Sequence, residues 1–122
     1  MSEDGRTFVV DWTNFDVADC RLDLAWTLLL SSTYGNPEAR GEILGAYERF
    51  SGKKVEDLGF FEAAPAARRF FAVFVSMKVG PERLGMRPDA AEKMRMQAGH
   101  LIEVMKVLRD RTGIYLERFG VP

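Results

Sequence analysis

The sequence predicts a mainly α domain, a helical bundle of four or five helices with a short strand or hairpin at its N-terminus. Three observations lead there. The chain has 122 residues, 47% hydrophobic and 29% charged, which suits one core and leaves no room for a second domain. Apolar residues recur at spacings of three and four through much of its length, the period of a helix that buries one face. Only Thr7-Phe8-Val9-Val10, behind the turn signal Asp4-Gly5, has the β-branched and aromatic character of a strand.

That run is expected to end near Asp11-Trp12, as the second arm of a hairpin. Residues 13–18 show no sustained period and read as a loop. Asp19 is then placed to cap a helix from about Cys20 to Tyr34, because its carboxylate can accept from the orphan amides of the first turn, and Gly35 ends that helix. Asn36 before Pro37 and Glu38 starts a second helix that runs to about Phe50, with Ile43, Leu44, Tyr47 and Phe50 on one side. Ser51-Gly52-Lys53-Lys54 is the polar loop after it.

A third helical region spans about Val55 to Val79. Pro65 inside it implies either a kink or two helices, the second opened by the proline. The run Phe70 to Met77 is apolar nearly all round, which makes it the expected centre of the core. Gly80-Pro81 and Gly85 punctuate the chain, and Pro88-Asp89 opens a last helix to about Arg111, stopped by Thr112-Gly113. Along it Ala91, Met94, Ala98, Leu101, Met105 and Leu108 form a heptad seam, fit either for a homodimer or for packing within the chain.

Composition removes several chemistries. The single cysteine, Cys20, forms no internal disulfide and builds no thiolate zinc site, so a reducing, cytoplasmic location is expected. Any triad mechanism would have to pass through His100, the one histidine, which reads as an ordinary partly buried helix residue. Residues 1–64 carry a net −6 and residues 65–122 a net +5. The basic residues, Arg68-Arg69 among them, are dispersed along helical segments, so they read as solvated faces or as contact between the two halves, and no nucleic-acid partner is expected; the Arg68-Arg69 pair suits a phosphate or, more commonly, a solvated helix face. Methionines 77, 86, 94, 96 and 105 read as core filler or as an adaptable binding surface. The apolar block Leu22 to Leu30 is interrupted by Asp23 and Thr27 and falls far below the ~20 residues of a membrane span. Met1 to Gly5 lacks the basic start and apolar stretch of an export signal.

Two carboxylates stand out. Asp11, where a strand ends, suits either the start of a turn or a hard cation such as Mg²⁺, which prefers oxygen ligands. Asp23 lies amid Leu22, Leu24, Ala25 and Trp26, where an unpaired buried charge is costly. Dedicated partners such as backbone amides or Arg21 are therefore expected for it.

Phe8-Val9-Val10-Asp11-Trp12 followed by Asp19-x-Arg21-x-Asp23-Leu24-Ala25-Trp26 resembles the stretch after the catalytic loop in the aminoglycoside phosphotransferase and choline kinase-like family. There an apolar strand delivers Asp-Trp, and a Gly-Asp-Pro-x-x-Asp-Leu-Ala segment opens a helix. The helical remainder is similar in order to that family's C-terminal lobe, and Arg111-Thr112-Gly113-Ile114 resembles a common family ending. The resemblance implies a protein kinase-like C-terminal lobe, with residues 1–12 as strand and metal-Asp segment and residues 19–122 as helical lobe. It implies that Asp11 binds the Mg²⁺ of MgATP and that Asp23 braces the catalytic loop. Asp19 would be the acid of the Gly-Asp-Pro element, with Ala18 in place of its Gly and Cys20 in place of its Pro.

The family's activity is ATP-dependent phosphoryl transfer to a hydroxyl, and it needs groups not found here. Ten residues precede Asp11, too few for a nucleotide lobe, and no His-Gly-Asp loop is present, so no catalytic residue is assigned in this chain. The expectation is a split or truncated gene product, inactive alone and completed by an N-terminal kinase chain. The alternative is a non-catalytic interaction module that forms a dimer. No motif fixes the substrate-binding residues. Asp16 is available for them on its charge alone.

Overall fold

In a computed structural model the chain is described over residues 17–34, 36–96 and 98–115. The predicted strand, Asp11 and Asp16 lie outside these residues. Five α-helices and one short 3₁₀ turn follow one another, and no strand occurs among the described residues. None of the helices is long and apolar enough to cross a membrane.

Helix α1 (Cys20–Tyr34) starts where the local chemistry predicts. Asp19 Oδ1 accepts the Arg21 amide at 2.9 Å, and the Asp19 carbonyl accepts the Leu22 amide at 2.9 Å. Helix α2 (Ala39–Ser51) follows a turn in which Asn36 Oδ1 accepts the Glu38 amide and its carbonyl accepts the Ala39 amide, both at 3.0 Å. Gly52 closes α2 at φ 69°, a left-handed conformation that costs glycine little, and its amide donates to the Glu48 carbonyl.

Helix α3 (Leu58–Val79) continues past Pro65, so of the two expected outcomes, a kink or two helices, the second does not occur. Pro65 has no amide to donate to the Phe61 carbonyl, but its ring is buried, and packing holds the helix through the missing bond. After α3 come the 3₁₀ turn Pro81–Leu84, helix α4 (Ala90–Met96) and helix α5 (Ala98–Thr112). Helices α4 and α5 both lie within the span of the single last helix the sequence predicts. Gly113 ends α5 at φ 72°, its amide 2.7 Å from the Arg109 carbonyl.

The core follows helical period rather than local hydropathy. Helix α3 packs against both α1 and α5. One cluster joins Leu29, Ala66, Phe70, Leu101, Val104 and Leu108; the other joins Leu24, Ala25, Leu28 and Leu58, with Ile43, Leu44 and Tyr47 of α2 against it. Phe70 is 1% exposed, and burying such a ring contributes about 2–3 kcal/mol. The run Phe70 to Met77 is not buried all round: Phe71 and Val75 are exposed on the side away from α1 and α5. Phe50, placed by helical spacing on one side with Ile43, Leu44 and Tyr47, is 94% exposed. The heptad seam is used within the chain, since Leu101 and Leu108 are buried in the cluster that α5 makes with α3.

Three helices are tied by one acid. Glu62 on α3 is 4% exposed and accepts from Arg40 Nη2 of α2 at 2.6 Å and from Arg111 Nε of α5 at 2.8 Å. A buried carboxylate needs such partners, because an unpaired charge away from water costs several kcal/mol.

Candidate functional site

The front of α1 carries the residues on which the resemblance rests. Asp19 is engaged rather than open. Both of its carboxylate oxygens face the Arg21 guanidinium, at 2.7 and 3.0 Å, and Arg21 with its amide holds the carboxyl down to about 2. Arg21 reaches further, to the Glu56 carbonyl at 3.2 Å and over the Phe61 ring at 4.1 Å. Asp19 and Arg21 therefore fix the start of α1 to the loop before α3 and to α3 itself.

Asp23 corrects the expectation made for it. It is exposed, and no hydrogen bond or ion pair joins it to Arg21 or to another described residue. Helical geometry gives the reason: Leu24, Ala25, Leu28 and Leu29 define the buried side of α1, and Asp23 falls on the opposite side of the cylinder. In the first turn its charge faces the positive end of the helix dipole, so water and the dipole serve where buried partners were expected. Among the described residues no three His, Cys, Asp or Glu side chains are grouped to hold a metal ion.

A second group, which the sequence reading did not assemble, lies at the other end of α1. Tyr34 stacks on His100 of α5, ring centroids 3.6 Å apart and planes 17° from parallel. Arg69 of α3 binds both: its Nε donates to His100 Nε2 at 3.1 Å, and its Nη2 bonds to the Tyr34 hydroxyl. Because Nε2 accepts, the imidazole is neutral and carries its proton on Nδ1, which is buried, with the Thr33 backbone as its neighbour. Burial first, and the Arg69 charge second, push the His100 pKa down, while the Thr33 backbone opposes them.

These residues border a cleft of about 570 Å³. Its walls include Val73, Met86, Ala90, Met94 and Leu101, and its charged groups are Arg69, Arg87, Lys93 and Asp89. Lys93 and Asp89 pair with each other at 2.6 Å. Arg69 and Arg87 form no ion pair with a described residue. The pair Arg68-Arg69, read as one solvated face, is thus split: Arg68 is exposed above the Trp26 ring at 5.4 Å, and Arg69 turns inward.

Residues 34, 69 and 100 meet only through the packing of α1, α3 and α5, so no local motif announces them. One signal was present. His100 lies four residues before Val104 and eight before Leu108, on the face of α5 that is buried. No family model, curated protein or solved structure matches the chain.

Proposed function

We propose that this chain is the C-terminal helical part of a small-molecule kinase similar to the aminoglycoside phosphotransferase and choline kinase-like family, which transfers the γ-phosphoryl group of ATP to a hydroxyl. The reading rests on Asp11-Trp12 followed by Asp19-x-Arg21-x-Asp23-Leu24-Ala25-Trp26 at the front of a helical bundle. The corner made by Asp19, Arg21, Glu56 and Phe61 supports it, because it fixes the start of the helix that carries Asp23-Leu24-Ala25-Trp26. In this reading Asp11 holds the Mg²⁺ of MgATP, and a partner chain supplies the nucleotide lobe and the catalytic loop. Phosphoryl transfer is a matter of positioning and charge stabilisation by several groups together, and one acid does not suffice.

The test is transfer of labelled phosphate from ATP to hydroxyl acceptors by the chain alone and by the chain mixed with the product of the adjacent upstream reading frame. Activity in the mixture, absent from either component and abolished by Asp11→Ala, is the expected result. An active mixture indifferent to that substitution removes Asp11 from the reaction; an upstream product without a kinase lobe removes the reading.

A second reading, a non-catalytic module that self-associates, is favoured by one observation. Phe60, Ala64, Arg68, Phe71, Val75 and Lys78 form an exposed line along α3, largely apolar and opposite its packed side. A second copy covering this line predicts a dimer in sedimentation that Phe71→Glu dissociates. A monomer at high concentration rejects it.

A further inference from the structure

We infer that the cleft between Tyr34, Arg69 and His100 on one side and residues 86–94 on the other binds a small organic anion, a carboxylate or phosphate ester with an apolar body. The inference stands apart from the kinase reading and uses none of its residues.

Size is the first ground. A volume of about 570 Å³ lies within the roughly 300–1,000 Å³ typical of small-molecule sites, and the walls are apolar with a few convergent polar groups. Charge is the second. Of four charged residues at the cleft, Lys93 and Asp89 neutralise each other, and among the described residues no carboxylate pairs with the guanidinium groups of Arg69 and Arg87. Arg69 is half-buried, and its partners, an imidazole and a phenol, are both neutral. A guanidinium drawn out of water is ordinarily met by a carboxylate or phosphate, to which its fork of donors is matched. The missing partner is an anion.

The third ground is geometric preparation. The Tyr34–His100 stack and the two bonds from Arg69 fix the guanidinium in one orientation before any ligand arrives, so little side-chain entropy remains to be lost on binding. His100 is 8% exposed, so its stacked ring is a fixed part of the cleft wall. Val73, Met86, Met94 and Leu101 supply the surface for an apolar body, and the thioethers adapt to its shape.

Octanoate is the probe and octanol its neutral counterpart, titrated into the full chain by calorimetry and by amide NMR. Octanoate is expected to bind about tenfold or more tightly than octanol, with shifts centred on Val73, Met86, Ala90 and Leu101. Arg69→Gln removes most of that preference. Because Arg69 also holds Tyr34 and His100, Arg87→Gln, an exposed position, is the second variant, expected to weaken octanoate several-fold at unchanged melting temperature. Octanoate and octanol binding equally, shifts scattered away from the cleft, or an Arg87→Gln protein of unaltered affinity would overturn the inference. Inorganic phosphate binding as well as octanoate would reject the apolar half of it.

Discussion

At the scale of single residues, what a side chain faces decides what its charge does. Asp19 faces an amide and a guanidinium, so its ionised form is favoured in the folded chain and its stabilising effect is present above the ordinary carboxylate range. Asp19→Ala is expected to lower the melting temperature by a few degrees near neutral pH. The difference from wild type should narrow as pH falls from 3.8 towards about 2, which thermal melts across acid pH will record. His100 is the opposite kind of group. Its neighbours are Arg69 from α3 and Tyr34 from α1, with Arg87, Lys93 and Asp89 around the cleft, and its folded pKa lies below 6.5. The unfolded chain therefore takes up the proton first, and stability is lost as pH falls below 6.5 through the lowered folded value. His100→Gln, measured by denaturant unfolding over the same range, should lack that component of the slope.

Elements with local signals were legible in the sequence. Asp19, Asn36 and Gly113 satisfy or end helices with groups from their own turn, so α1, the turn before α2 and the end of α5 stand where residue chemistry predicts. Gly113→Ala tests one such stop. At φ 72° a Cβ adds strain, and a loss of about 1 kcal/mol in chemical denaturation is expected, with amide exchange faster in the last turn of α5. Signals that depend on other elements were not legible. Pro65 reads as an interruption in sequence, yet burial keeps α3 whole. The apolar run from Phe70 reads as core, yet the partners lie on one side of α3, and Phe71 and Val75 are left facing outward. Asp23 was misread because its sequence neighbours are apolar. Its place on the helix cylinder would have put it outside. Of the candidate site, the Asp19 cap was legible; Tyr34, Arg69 and His100 were not, because 31 and 35 residues separate the bonded pairs and no period links positions on different helices.

At the scale of the whole molecule, α3 is the member to which the others are fastened, by apolar packing on α1 and α5 and by Glu62 on α2 and α5. The Glu62 bridges are partly open to water through their arginines, so they are worth less than a fully buried pair. Glu62→Gln is expected to cost about 2 kcal/mol, with exchange rising in α2 and α5 together. The α5 seam is occupied within the chain. Leu108 is 4% exposed in the cluster with Phe70 and Val104, so a dimer through the seam would have to pull α5 away from α3. Removing a side chain there leaves a cavity as well as a lost transfer term, and Leu108→Ala should destabilise the monomer fold by about 3 kcal/mol. The oligomeric state should not follow. If the protein sediments as a dimer and Leu108→Ala releases folded monomers, α5 is shared between chains and the intramolecular packing described above is wrong. If the variant loses stability at unchanged mass, any self-association belongs to the exposed line on α3, where Phe71 and Val75 face outward.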